Sequence, residues 1–145
     1  MNRPGPLLMQ ASAVVISGRT MVIEGAPGSG KSSLALALID RGAGLIGDDG
    51  VTLERLGDRL VASPPANITG LIELRGVGLV TLPVAKAAPV AIILSLDTPS
   101  ERLPLSVPAR EIMGISIPVL GFEPGNIAPA VRAEWALAKH GLVFD

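Results

Sequence analysis

Residues Gly25-Ala26-Pro27-Gly28-Ser29-Gly30-Lys31-Ser32 satisfy the pattern G-x-x-x-x-G-K-[ST] at every fixed position. Such a loop binds phosphate only when an apolar strand delivers the chain to it and a helix begins inside it. Small residues let successive backbone N–H groups turn inward as an anion nest, and the helix adds the positive end of its dipole. The flanking sequence meets both demands. "TMVIEG" precedes the loop as a β-type run, and "KSSLALALIDRG" follows with helical composition and Gly42 placed to end the helix. Lys31 then supplies a point charge for β- and γ-phosphates, the Ser32 hydroxyl suits Mg²⁺, and Ser33 continues the cradle into the helix.

The rest of the 145 residues reads as one domain, spanning residues 1–145, with a core built from Val, Ile, Leu and Ala. Aromatic residues are confined to Phe122, Trp135 and Phe144, and the net charge is −1. Stacking platforms and a basic surface for nucleic acid are therefore not expected. There is no cysteine and one histidine, His140, which removes thiolate chemistry and a histidine metal cluster. The longest apolar stretch, "VAKAAPVAIILSL", is broken by Lys86 and Pro89 and is too short to span a bilayer. "MNRPGPLLMQASAVV" lacks the h-region of a signal peptide, so no membrane association and a cytoplasmic location are the expectation.

Around the loop the chain reads as many short strands and few helices. "ASAVVI" and "TMVIEG" form a hairpin through Ser17-Gly18-Arg19, and "AGLIGDD" is a short buried strand ending in acids. "VTLERLGDRLVASPP" is a hairpin turning at Gly57-Asp58 and leading into a Pro-rich loop. "LIELRG", "GLVTLPV", "PVAIILSLD" and "ISIPVLGF" are further strands; "SVPAREIMGISIP" is read as an ordered or gated loop where a partner could dock. The final helix lies in "NIAPAVRAEWALAKHG", with Asn126 as its N-cap and Gly141 as its stop.

Two sets of acids compete for the cation. Asp48 and Asp49 stand sixteen and seventeen positions after Ser32, at the end of a short strand, where one could hold Mg²⁺ and the other take a proton. Asp97 closes "AIILSLD", the apolar run plus acid expected of a generic cation-binding strand. On the pattern alone either set can serve, and whichever does not is a surface turn or a strand end.

The loop followed by "ALALIDRGAGLIGDDGVTL", and then by Glu73-Leu74-Arg75-Gly76-Val77-Gly78, resembles the HPr kinase/phosphorylase family. The likeness is good over about residues 8 to 82 and looser beyond. It is closest in kind to the short, catalytic-domain-only members. The resemblance implies an α/β P-loop nucleotide-binding fold of the HPr kinase and phosphoenolpyruvate carboxykinase type. It also implies ATP and Mg²⁺, transfer to a serine of an HPr-like phosphocarrier protein, possible reversal by phosphorolysis, and a homohexamer. Carried onto this chain, Gly25 to Ser33 hold the nucleotide phosphates. Ser32 and Asp48 hold the metal with Glu73 nearby, Asp49 is the catalytic base, and Lys31 and Arg75 complete the site.

Two positions depart from the family pattern. Gln10 stands where members carry a histidine, and glutamine neither titrates near neutrality nor becomes a cation. "IPVLGFEPGNIAP" lacks two arginines of the longer enzymes' Pro-Val-Arg-Pro-Gly-Arg-Asn loop. Two alternatives follow: a relative that binds nucleotide but transfers little, and an unrelated small-molecule kinase or NTPase using Asp97. Arginines 41, 55, 59, 75, 102, 110 and 132 show no lid-like cluster for the latter.

Overall fold

The structure, a computed structural model, describes residues 5–66 and 70–145. Within them the order is β1 (Leu7–Met9), β2 (Ser12–Ile16), β3 (Arg19–Glu24), α1 (Lys31–Asp40), β4 (Gly44–Gly47), β5 (Val51–Leu56), β6 (Arg59–Ser63), β7 (Leu71–Leu74), β8 (Gly78–Thr81), β9 (Ala88–Ser95), β10 (Ala109–Ile112), β11 (Ile115–Gly121) and α2 (Pro129–His140). This is the mixed α/β architecture that the sequence implies.

The main sheet runs β1-β5-β6-β9-β3-β2-β4, and β9 is its hub. β3 lies parallel to β9 on one side. On the other side Ala88 and Pro89 pair antiparallel with β6, and Ile93 to Ser95 pair parallel with β11. Both faces of this centre are covered. Met21, Ile23, Ile92 and Leu94 pack beneath α1 and α2, while Val22, Val90 and Ile93 face a second core with Leu53, Leu60 and Ile117. A strand buried on both faces must be apolar throughout, which is why "MVI" and "VAIIL" show no alternation. Each fully buried Ile or Leu here contributes roughly 1.5–3 kcal/mol.

α1 starts in the glycine loop and ends at Gly42. The Gly42 N–H bonds the Ile39 carbonyl and the Ala43 N–H bonds the Leu38 carbonyl, both at 3.0 Å, with Gly42 at φ 111°. This left-handed helix end returns the chain along β4, antiparallel to β2. The acids after β4 thus come back beside the start of α1.

The β2–β3 and β5–β6 hairpins and the strands of "LIELRG" and "GLVTLPV" stand as the sequence indicates, the last two paired as β7–β8 in a small separate sheet. The loop after β6 begins at Pro64-Pro65 and runs into residues 67–69, outside the described residues. Two readings are corrected. "SVPAREIMGISIP" is mostly the β10–β11 hairpin, turning at Met113-Gly114, because Ile115 and Ile117 bury against the second core. Asn126 is not the cap of α2: Ala128 holds that position and Pro129 opens the helix, its fixed φ and missing N–H suiting the first turn. Gly141 does follow the last helical residue, its N–H bonding the Leu137 carbonyl at 2.9 Å.

Candidate active site

The glycine loop spans the gap between the end of β3 and the start of α1. Gly30 caps the helix, its carbonyl accepting the Leu34 N–H at 3.0 Å, and the Ser29 N–H closes a turn on the Ala26 carbonyl at 3.0 Å. Lys31 folds back over the loop, its Nζ donating to the Gly25 carbonyl at 2.7 Å and the Ala26 carbonyl at 3.3 Å. A phosphate entering the nest would replace those two carbonyls as the partner of the ammonium.

Asp48 is the acid that meets this helix. Its Oδ1 accepts the Ser32 hydroxyl at 2.7 Å and the Ser12 hydroxyl at 2.8 Å. Its Oδ2 faces the Glu73 backbone N–H at 3.4 Å, and the residue is only 9% exposed. By donating its proton to Asp48, Ser32 keeps its lone pairs free for a cation. The Gly47–Gly50 turn aims the carboxylate. A Cβ at Gly47 would collide with the Gly50 carbonyl, so only glycine allows this close approach.

Asp49, next in the chain, is exposed and holds a left-handed backbone at φ 62°. The two aspartates therefore occupy different environments, one buried behind Ser32 and one facing solvent. A non-glycine residue in this region is strained unless its surroundings hold it there.

Asp97 sits elsewhere. Its Oδ1 accepts the Ala26 N–H at 3.1 Å, so it braces the first half of the loop rather than Ser32. The generic pattern pointed at it because apolar-run-plus-acid describes a strand end and not what the acid touches.

β7 and β8 supply the remaining wall. Glu73 and Arg75 line one cavity of about 320 Å³ together with Gly30, Lys31, Ser32 and Ser33. Gln10, between β1 and β2, is exposed and forms no hydrogen bond to Asp48 or Asp49 among the described residues. Ser12, which the motif reading missed, was visible only as a polar residue inside the apolar run "ASAVVI".

A further link joins the loop to β10. Arg110 donates from both terminal nitrogens to the two Glu24 oxygens, at 2.6 and 2.8 Å, immediately before Gly25. This bidentate bond holds the Glu24 carboxyl below its ordinary range, against a smaller opposing push from burial; Arg110's charge and a Ser95 hydrogen bond add to it. The Arg110 guanidinium is correspondingly raised, first by its bond to Glu24.

The donor set fits a hard cation. Mg²⁺ takes oxygen ligands and uses one or two carboxylates together with substrate phosphates, not an all-protein cage. A hydroxyl and a buried carboxylate 2.7 Å apart at the start of the loop helix match that description.

Comparison with known proteins fixes the relationship. The family model described as the HPr Serine kinase C-terminal domain matches residues 7–123. The chain belongs to this family. It is 31% identical over 144 residues to the HPr kinase/phosphorylase of Clostridium tetani, covering 89% of this chain and 47% of that protein. The HPr kinase/phosphorylase of Ralstonia nicotianae is 34% identical over 133 residues, covering 81% and 41%. The chain thus spans less than half the length of these curated relatives. The solved structure of the Hpr(Ser) kinase/phosphatase from Coxiella burnetii superposes with a TM-score of 0.81 at 28% identity, covering 92% of this chain and 95% of that one. That likeness confirms the fold class read from the sequence.

Proposed function

We propose that the chain is an ATP- and Mg²⁺-dependent kinase that phosphorylates a serine of an HPr-like phosphocarrier protein, and that inorganic phosphate removes the phosphoryl group again by phosphorolysis. The observation that carries this reading is the Ser32–Asp48 contact at the start of the loop helix, with the Glu73 backbone closing on the same carboxylate. The contact supports a layout in which the acid of the short strand, rather than Asp97, serves the cation beside Ser32.

Gly25 to Ser33 would hold the phosphates, with Lys31 on the β- and γ-phosphoryl oxygens. Ser32 and Asp48, with Glu73 alongside, would hold Mg²⁺, whose charge offsets that of the transferring group. Asp49, exposed and next to Asp48 in the chain, takes the proton of the incoming serine hydroxyl. As the serine oxygen forms its bond to the γ-phosphorus, the bond to the bridging oxygen breaks and ADP leaves. Arg75, from the β7–β8 tip, faces the transferring oxygens. In the phosphorolysis, an oxygen of inorganic phosphate bonds to the phosphorus of phosphoserine as the serine O–P bond breaks, protonated Asp49 gives its proton to the departing serine oxygen, and pyrophosphate leaves. Assembly as a homohexamer belongs to the same proposal, and exposed Leu8, Leu103, Leu105 and Trp135 offer apolar surface for it.

The arginines speak against a metabolite kinase. Arg41, Arg55, Arg59, Arg110 and Arg132 are each bonded to other parts of the chain, and among the described residues Arg75 is the one arginine lining the cavity beside the loop. One observation favours a second reading, a nucleotide-binding switch with little transfer: Gln10 makes no bond to either aspartate and cannot supply a cation. Transfer of labelled γ-phosphate from Mg²⁺-ATP to an HPr-like protein decides between them. Phosphoserine formed by the wild type and lost in Asp49→Asn and Lys31→Ala supports the kinase. ATP binding without transfer supports the switch.

A further inference from the structure

The last side chain before the glycine loop is an acid. Glu24 ends β3, its carbonyl accepts the Leu96 N–H at 2.9 Å, and Gly25, where the phosphate nest begins, follows it directly. A second carboxylate, Asp97, bonds the Ala26 N–H at 3.1 Å. Two anions thus border the first half of a loop whose backbone is shaped to hold another anion. Among the described residues Glu24 has one cationic partner, Arg110, and Asp97 has none.

We infer that Arg110 sets the phosphate affinity of the glycine loop by cancelling the charge of Glu24, an inference that rests on the phosphate site of the kinase reading. Arg110 touches no phosphate on this account. It is a positioning residue that acts through Glu24.

The pairing spans the sheet. β11 and β9 lie between β10 and β3, and Arg110 bridges them to reach both Glu24 oxygens, at 2.6 and 2.8 Å. Arg110 also lines a cavity of about 380 Å³ with Thr98, Glu101 and Ser106, and among the described residues it makes no bond to Glu101. As a brace the pair is weak, because a partly exposed ion pair adds little to stability. Its effect on a ligand is larger. A phosphate chain carries several negative charges, and each of them would meet an uncancelled Glu24 at the entrance to the nest. The bidentate fork suits this task, since it fixes the positive charge on the carboxylate in one geometry.

Isothermal titration with inorganic pyrophosphate and Mg²⁺ tests this on Arg110→Ala, Glu24→Gln and the double variant. At low ionic strength Arg110→Ala should bind about fivefold more weakly than wild type, and the deficit should shrink below about twofold in about 0.5 M salt. Glu24→Gln should bind at least about twofold more tightly, because it leaves the Arg110 charge uncancelled near the nest. The double variant should return to within about twofold of wild type.

The sign for Glu24→Gln separates charge from shape. A pair that only braces the loop would make either single variant bind more weakly and leave the double variant weak, and that pattern would overturn the inference. So would an Arg110→Ala deficit that salt does not reduce. A wild type that binds no pyrophosphate would remove the phosphate site and this inference together. The expected pattern of affinities without transfer to an HPr-like protein would sink the kinase reading and leave the role of Arg110 standing.

Discussion

The Ser32 hydroxyl and the Asp48 carboxylate meet at 2.7 Å across sixteen residues of chain, and Ser12 reaches the same oxygen at 2.8 Å from β2. Two hydroxyls therefore fix one carboxylate oxygen from opposite elements. This matters because the carboxylate is nearly buried, and a buried charge is tolerable only with its hydrogen bonds made. Removing Ser12's hydroxyl should loosen Asp48 without touching the loop. Ser12→Ala is expected to cost about 1–2 kcal/mol in unfolding free energy and to weaken Mg²⁺-dependent ATP binding more than metal-free binding. Ser12→Thr, which keeps the hydroxyl, should restore both. Chemical denaturation and ATP titration with and without Mg²⁺ check this; equal loss in the two titrations would reduce Ser12 to a packing role.

Gly47 permits the turn that presents Asp48. Gly47→Ala forces a methyl against the Gly50 carbonyl and the Pro65 ring, with backbone on one side that cannot simply rotate away. We expect destabilisation of about 2–4 kcal/mol and loss of Mg²⁺-ATP binding. A melting temperature within a degree of wild type would show that the turn can relax at little cost.

The Glu24–Arg110 pair gives a pH signature. Glu24's pKa is lowered in the fold, so its contribution is fully present above the unfolded carboxyl value of 4.5 and is lost as pH falls through the folded value. The Arg110 side chain is 42% exposed, so solvent screening holds the pair to no more than about 1 kcal/mol. Glu24→Gln should melt slightly below wild type at pH 7, and the two curves should converge under acid conditions below pH 4.5. A gap that stayed constant down to the lowest pH would mean that packing, not charge, accounts for the difference.

Much of the site's frame could be read from the chain because it is local. Strand, loop, helix and the glycine stop occupy consecutive residues from β3 to Gly42, and their chemistry is written in spacing alone. The acid pair was also legible as residues, and the place of Asp48 beside Ser32 follows from a short helix returning through β4. What escaped the reading depends on distant partners. Ser12 and Asp48 are 36 residues apart, Glu24 and Arg110 are 86 apart, and neither pairing leaves a periodic mark. β1, three residues long, exists only by pairing with β5, and the β10–β11 hairpin only because Ile115 and Ile117 find the second core. Asn126 resembled a cap by residue type, while the helix was in fact set by Pro129, three positions on.

Asp48, and not Asp97, is the acid expected to serve the cation beside Ser32. The direct measurement is the initial rate of phosphoryl transfer to an HPr-like protein by Asp48→Asn and Asp97→Asn, run side by side over a range of Mg²⁺. Asp97→Asn keeps an oxygen able to accept the Ala26 N–H, so its rate should stay within about tenfold of wild type with an unchanged Mg²⁺ requirement. Asp48→Asn should lose at least about a hundredfold, with the Mg²⁺ requirement shifted upward. The reverse result, an Asp97→Asn protein that is dead beside an Asp48→Asn protein that works, would contradict the assignment and return the cation to the strand end of β9.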